Sequence, residues 1–148
     1  MLWLPRPSGM ADMKAKVNRF WCRKGFTAAT VFGRIYTRSQ EAADQLNSRF
    51  DALKNHEMIH LRQAQSTHDS WLLFYVRYFW YSLRAIGYIR RMKNAMYYLN
   101  PFEMEAYRHM YEKDYLERCV DGGAVEWKEF ARMSLAARMR YVRKNNLC

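Results

Sequence analysis

The stretch that decides the fold of this 148-residue chain is Asn55-His56-Glu57-Met58-Ile59-His60-Leu61. Its two histidines stand four residues apart. On a helix such positions share one face, so both imidazoles can bind one cation. Glu57 stands beside the first histidine, where its carboxylate can hold a water molecule and take its proton. This H-E-x-x-H pattern is typical of zinc sites with two histidine ligands and a glutamate general base. A helix is favoured because neither glycine nor proline occurs from Ile35 to Arg84.

The same motif also fits an exposed polar face of an amphipathic helix, and a third ligand would decide between the two interpretations. Asn100-Pro101 predicts the start of a later helix, with Asn as the cap and Pro in the first turn. Glu103 then lies in that first turn, where it is either a ligand or the glutamate of a capping box. With the upstream motif present, we favour the ligand. Glu105 is the rival ligand, but it points about 200° away around the helix.

The composition predicts one folded domain with an anionic partner or a solvated basic surface. Half of the residues are hydrophobic and the formal net charge is +11. Lipid headgroups, nucleic acid and acidic proteins are the candidate partners, but no nucleic-acid-binding module is recognisable, which makes nucleic acid the least favoured. Cys22, Cys119 and Cys148 are widely spaced and suit a reducing compartment, so we expect a cytoplasmic protein, with a peripheral membrane location as an alternative.

Along the chain, residues 1–12 are expected to be a disordered leader and residues 13–148 a single domain. A basic amphipathic helix is predicted at 13–24, and a strand at Thr27–Thr37, in which Gly33 marks a bulge or a close backbone contact. The other predicted helices are Ser39–Ser48, Ser48–Gln65, Trp71–Ile86, Phe102–Glu117, Trp127–Phe130 and Leu135–Lys144. The aromatic segment from Trp71 is interpreted as a helix buried under the metal-motif helix, with an interfacial helix as the alternative. Two arginines within it, Arg77 and Arg84, disfavour a membrane span.

Five other polar residues near the motifs are given lesser roles. His68 and His109 are expected at the surface. Arg62 and Gln63 are expected to pack or to face a substrate. The candidates to stabilise an oxyanion are His109 and Tyr107, and the sequence does not choose between them.

Two quoted segments together resemble a known class of protein. Asn55-His56-Glu57-Met58-Ile59-His60-Leu61-Arg62-Gln63, followed by Phe102-Glu103-Met104-Glu105-Ala106-Tyr107, resembles the gluzincins, and most closely short bacterial zincin-like proteins of unassigned role. The resemblance spans roughly residues 25–111. It implies a helix-rich α+β zincin-like domain with a small β segment beside the H-E-x-x-H helix. That segment would pair with an extended substrate.

The resemblance also implies a site. His56, His60 and Glu103 fall on the zinc ligands and Glu57 on the general base, so the expected activity is hydrolysis of peptide bonds in a peptide or protein substrate. The alternatives are a metal-stabilised scaffold that acts as a binding module, and a basic aromatic adaptor at a membrane surface or on nucleic acid. One position departs from the gluzincin pattern, because Tyr107 stands where many members have an aspartate that accepts a hydrogen bond from a ligand histidine.

Overall fold

The computed structural model describes residues 14–22, 24, 27–48, 51–119 and 124–147. Within those ranges the chain is a helix-rich α+β protein, as predicted. Its elements are β1 (Lys16–Val17), β2 (Ala28–Val31), β3 (Arg34–Thr37), α1 (Gln40–Ser48), α2 (Ala52–Ser66), α3 (Trp71–Arg84), a 3-10 turn (Ile86–Tyr88), α4 (Ala95–Tyr98), α5 (Pro101–His109), α6 (Tyr115–Arg118), α7 (Trp127–Arg132) and α8 (Leu135–Lys144). The predicted leader at residues 1–12 lies outside the described residues.

The predicted strand at Thr27–Thr37 is wrong in one respect, because this segment forms a hairpin of two strands. β2 and β3 pair antiparallel, with Val31 opposite Arg34. The two residues between them, Phe32 and Gly33, have φ angles of 46° and 79°. Positive φ at both central residues is the geometry of the two-residue turn that best matches strand twist. Gly33 therefore makes a turn and not the predicted bulge or close backbone contact.

The predicted helix at residues 13–24 is also wrong. Lys16 and Val17 form β1 and pair in parallel with Tyr36 and Thr37 of β3. The backbone of Ala15 both donates to and accepts from the Asn47 amide of α1, at 2.8 Å and 3.2 Å. Sheet and side-chain partners thus satisfy the backbone groups that a helix would have paired internally. β3 is the central strand, β2 is an edge strand, and β2 lies against α2.

Helix α2 carries the H-E-x-x-H motif and is the centre of the fold. It begins after Asp51, whose carboxylate accepts hydrogen bonds from the backbone N–H groups of Leu53 and Lys54. The helix packs against β2, α3 and α5. Because it is covered on several sides, it buries polar residues as well as the apolar Ile59, Leu61 and Ala64. The buried polar residues are Asn55, His56, Glu57, His60 and Gln63. An exposed polar face, the alternative interpretation of the motif, is therefore wrong.

Helix α3 begins after the cap Ser70, but it is not the buried helix that we expected. Only Trp71 and Phe74 along it are buried. Its inner face packs aromatic rings against α5 and α7, and its outer face carries exposed apolar side chains. No helix among the described residues is long and apolar enough to cross a membrane.

The predicted helix at Phe102–Glu117 is interrupted. Asn100 caps α5 through a hydrogen bond from the Phe102 N–H, as predicted, but α5 ends at His109. There the Asn55 side-chain amide lies within 3.0 to 3.2 Å of the carbonyls of His109, Met110 and Glu112. A side chain from α2 thus satisfies carbonyls at the end of α5, where a helix leaves them without partners. α8 has the predicted bounds.

Candidate metal centre

Three side chains from two helices converge in the interior. His56 and His60 lie on adjacent turns of α2, and Glu103 lies on the first turn of α5. The Nε2 atoms of the two histidines are 3.1 Å apart. Glu103 Oε2 is 3.2 Å from His56 Nε2, and Glu103 Oε1 is 3.4 Å from His60 Nε2. All three predicted ligands are therefore brought together, with the donor atoms facing one point.

This spacing fits a zinc ion. Zinc bonds of about 2.0–2.1 Å in tetrahedral geometry place neighbouring ligand atoms about 3.3 Å apart. His56 Nε2 lies 3.1 Å from His60 Nε2 and 3.2 Å from Glu103 Oε2, close to that value, and His60 Nε2 lies 3.4 Å from the other carboxylate oxygen, Oε1. Glu103 Oε2 is buried and has no hydrogen-bond donor among the described residues, although buried carboxylate oxygens normally have one. A cation bound by the two imidazoles would satisfy it.

The alternative role of Glu103 as a helix cap does not match its contacts. A capping glutamate accepts a hydrogen bond from the backbone N–H of the cap residue. Here the Asn100 N–H donates to the Tyr97 carbonyl instead. The Glu103 carboxylate faces the histidines and accepts a hydrogen bond from the Tyr78 hydroxyl at 2.6 Å. Tyr78 belongs to α3, so a third helix orients the candidate ligand.

The charges of this cluster are strongly coupled. Burial lowers the pKa of the His60 imidazole, but the Glu103 carboxylate outweighs burial and raises that pKa to about 9. Burial likewise raises the pKa of Glu103, but the His60 and His56 imidazoles outweigh it and hold that pKa well below its usual range. A positive charge between these groups is thus favoured, whether it is a proton or a metal ion.

The second nitrogen of each histidine has a different environment. His60 Nδ1 lies 2.8 Å from the Gln63 side-chain oxygen, an acceptor that would fix the tautomer with Nε2 free to bind a cation. His56 Nδ1 is buried and has no hydrogen-bond partner among the described residues. Its neighbour is the ring of Tyr107, 4.6 Å away centre to centre, and the Tyr107 hydroxyl contacts Tyr97 instead. The departure noted at Tyr107 therefore leaves His56 without an acceptor.

Gln63 and Glu105 also belong to the site, where they support a ligand histidine, a role that was not predicted for either residue. Gln63 donates from its amide nitrogen to Glu105 Oε2 at 2.8 Å and to the Phe102 carbonyl at 2.9 Å. Its oxygen is thereby turned towards His60. A chain of polar contacts runs from His60 through Gln63 to a buried carboxylate. One signal was available: position 63 is three residues after His60, on the same helical face.

Glu105 is a rival to Glu103 in sequence but not in space. Besides Gln63, its carboxylate accepts hydrogen bonds from the Tyr115 hydroxyl at 2.6 Å and from the backbone N–H groups of Glu126 and Trp127 at 2.9 and 3.3 Å. Burial raises the pKa of Glu105, and these donors act in the opposite direction. Its lone pairs are directed at those donors, so Glu105 supports the candidate metal centre from behind Gln63.

The predicted base, Glu57, follows His56 on α2 and faces the sheet. Its Oε2 atom accepts a hydrogen bond of 2.6 Å from the hydroxyl of Thr30 on β2. The edge strand therefore reaches the glutamate of the motif directly. Glu57 is 6% exposed, so its carboxylate lies beneath the surface.

The two remaining histidines have different outcomes. His68 is exposed in the turn after α2, as predicted. His109 is buried, which corrects the prediction of a surface residue, and it lies between the carboxylates of Glu112 and Glu126 while stacking on the Tyr115 ring at 3.8 Å. Burial lowers the pKa of His109, but the two carboxylates outweigh it and raise that pKa above its usual value. Its ring nitrogens are thus engaged by these carboxylates, which disfavours a role in binding an oxyanion.

Comparisons with known proteins identify no relative: a scan against protein-family models, a search of curated proteins and a search of solved structures each gave no match. The resemblance to gluzincins therefore stays a prediction from the two quoted motifs.

Proposed function

We propose that this protein is a zinc-dependent hydrolase of peptide bonds, in which His56, His60 and Glu103 hold the cation and Glu57 is the general base. The observation that carries the proposal is the convergence of three buried side chains: the two histidine Nε2 atoms are 3.1 Å apart, and they lie 3.2 Å from Oε2 and 3.4 Å from Oε1 of Glu103, of which Oε2 has no hydrogen-bond donor among the described residues. Two imidazoles and one carboxylate are the protein ligands of many catalytic zinc sites.

Each residue then has a chemical task. A zinc ion at this position would supply Lewis acidity towards a carbonyl oxygen. Glu57 would take a proton from the attacking water and pass it to the leaving amine, with Thr30 holding its carboxylate. Gln63 would keep Nε2 of His60 unprotonated. The outer edge of β2 would receive an extended peptide by strand addition.

A second candidate is a metal-stabilised scaffold without catalytic turnover, and burial favours it. The side chains of His56 and Glu103 are only 3% and 4% exposed. Thr30 already donates to the Glu57 carboxylate. A substrate would have to displace covering residues to reach either group, whereas a structural ion needs no such access.

Metal analysis tests the feature common to both candidates. We expect about one zinc per chain after purification without chelator. The double variant His56→Ala/His60→Ala should lose it. His68→Ala, in an exposed turn after the same helix, is the control and should keep it. A wild-type protein that contains no metal and takes up none on titration would overturn the ligand assignment.

Glu57→Gln separates the enzyme from the scaffold. The amide keeps the shape of the side chain, so zinc should stay bound, while hydrolysis of unstructured peptides should fall by ~10²–10⁴-fold. Glu41→Gln, exposed on α1, is the matched control and should leave activity unchanged. Equal turnover in the wild type and Glu57→Gln would exclude this mechanism. Zinc-dependent thermal stability without peptide cleavage in the wild type would identify the scaffold.

A further inference from the structure

Helix α3 presents an apolar stripe to solvent on the side away from the candidate metal centre. The stripe consists of Leu72, Val76, Phe79, Trp80 and Leu83, which are 75%, 56%, 64%, 58% and 38% exposed. At about 100° per residue these positions cover about 100° of the helix surface. Ile86 and Ile89, each 54% exposed, continue it beyond the helix end. Contiguous exposed apolar surface of this kind marks an interaction site.

The inner face of α3 already packs against the protein interior, so the exposed stripe is not the face that forms the core. Phe74 and Tyr78 pack on Phe102, with ring centres 4.8 and 6.2 Å away. The Tyr78 hydroxyl binds Glu103, and the Ser82 hydroxyl accepts from the Asn100 amide. These contacts fix the rotation of α3. The stripe therefore faces outward from the part of the chain that the structure describes, and a partner must come from outside that part.

The charge on the segment that carries the stripe is of one sign, although the exposed Asp69 stands just before the cap of α3. From Ser70 to Phe102 the sequence contains no acidic residue. The same stretch contains five basic residues, of which four are exposed beside the stripe or just beyond its end: Arg84, Arg90, Arg91 and Lys93. Arg77 lies over the Trp127 ring and is half-buried. The exposed surface of this segment is thus apolar at its centre and positive at its edge.

We propose that the α3 stripe binds an anionic lipid surface, with the apolar side chains among the acyl chains and the basic ones at the headgroups. Helices that lie in a bilayer interface combine Trp, Phe and Leu on one side with Lys and Arg at the flanks. A protein partner would need acidic groups around an apolar groove. A second copy of this chain would bring its own basic side chains close to those beside the stripe, and repulsion between like charges opposes that contact.

Vesicle sedimentation tests the proposal with the whole protein. Phosphatidylcholine vesicles with part of the lipid replaced by phosphatidylglycerol should bind the wild type, and pure phosphatidylcholine vesicles should bind it much more weakly. Phe79→Ser/Trp80→Ser should lower binding by about tenfold or more, because each buried aromatic side chain contributes on that scale. Tyr111→Ser, with a side chain 75% exposed on another segment, is the apolar control and should bind as the wild type does.

Charge is tested separately. Arg84→Gln/Arg90→Gln should weaken binding by about fivefold for each charge removed, and the loss should shrink in high salt. Arg132→Gln/Arg140→Gln, exposed on α7 and α8, is the control with equal net charge. If Phe79→Ser/Trp80→Ser does not fold by circular dichroism, Leu72→Ser replaces it, since Leu72 is 75% exposed.

Three outcomes would overturn the proposal. The first is that the wild type does not bind anionic vesicles. The second is that Arg84→Gln/Arg90→Gln and its control lose equal amounts of vesicle binding. The third is that Phe79→Ser/Trp80→Ser binds vesicles as well as the wild type does. Light scattering distinguishes a second copy as the occupant. A dimer of the wild type that is lost in Phe79→Ser/Trp80→Ser would assign the stripe to self-association and refute the lipid assignment.

Discussion

Replacing Glu103 and Glu105 separately by alanine should lower zinc affinity and stability in opposite order: Glu103→Ala should lower zinc affinity more, and Glu105→Ala should lower stability more. Both carboxylates are buried on α5, so burial alone cannot separate them. Glu103 faces the two imidazoles and has one hydrogen-bond donor, the Tyr78 hydroxyl. Glu105 faces four donors: Gln63 Nε2, the Tyr115 hydroxyl and the backbone N–H groups of Glu126 and Trp127. The two variants thus remove different kinds of interaction.

The stability change follows from the donors left without an acceptor. In Glu105→Ala, Gln63 keeps the Phe102 carbonyl, but the N–H groups of Glu126 and Trp127 lose the side-chain acceptor. Each unsatisfied buried donor costs about 1–3 kcal/mol, so the two backbone groups alone should lower the free energy of unfolding by about 2–6 kcal/mol, and the Tyr115 hydroxyl also loses its acceptor. In Glu103→Ala the Tyr78 hydroxyl loses its acceptor and the His60 imidazole loses the carboxylate that raises its pKa to about 9. Above that pH the imidazole is neutral, so only the hydroxyl counts and the loss should be about 1–3 kcal/mol.

The zinc change has the reverse order. Glu103→Ala removes one of three protein ligands. Zinc affinity should therefore fall by far more than the 10–100-fold that is typical when a residue hydrogen-bonded to a ligand is lost. Glu105→Ala loosens Gln63 and through it His60, and should cost about 10–100-fold. Chemical denaturation of the zinc-free protein and competition with a chelating dye measure the two quantities. Zinc affinity that survives Glu103→Ala, or falls further in Glu105→Ala, would refute the ligand assignment.

Further variants test the remaining polar groups of the interior. Gln63→Met should keep the volume and lower zinc affinity by about 10–100-fold in the same competition assay. It should also destabilise the zinc-free protein in denaturation curves, because Glu105 loses a hydrogen-bond donor. His109→Gln should destabilise most near about pH 6 and least at higher pH. The reason is that the pKa of His109 is higher in the folded protein than in the unfolded chain, where it is about 6.5. The stability that results is fully present below the unfolded pKa and is lost as the pH rises through the folded pKa. Denaturation curves across pH test this, and a pH-independent difference would contradict it. Arg138→Met should lower the free energy of unfolding by about 3 kcal/mol or more, because the carbonyls of Leu99, Phe130 and Ala131 lose their donor.

The parts of the site that the sequence predicts are those fixed by local geometry. His56 and His60 share a face because any helix places positions four apart together. The rotation of Glu103 follows from Asn100 and Pro101, which set where α5 begins. What the sequence could not supply is the partner of Gln63. Gln63 and Glu105 are 42 residues apart, and their contact depends on how α2 packs against α5.

The errors in the fold have the same origin. The segment at 13–24 has helical periodicity, but β3 and Asn47 take up its backbone groups. The hairpin turn was missed because Phe32, a bulky residue, adopts a positive φ that favours Gly or Asn. His109 was expected at the surface, since nothing local indicates that Glu112 and Glu126 enclose it. In each case a contact distant in sequence outweighed a local preference.

The position of α3 joins the two proposals. Tyr78, on its inner face, donates to the Glu103 carboxylate, and Trp80, two residues later, is exposed on the outer stripe. One short helix therefore connects a candidate metal ligand to a candidate lipid surface. Lipid binding that restrained α3 would restrain the orientation of Glu103 through this hydrogen bond. The coupling is reciprocal, so zinc loading should raise affinity for anionic vesicles if vesicles raise affinity for zinc. Tyr78→Phe removes the hydrogen bond and should abolish that mutual effect while leaving the apolar stripe intact.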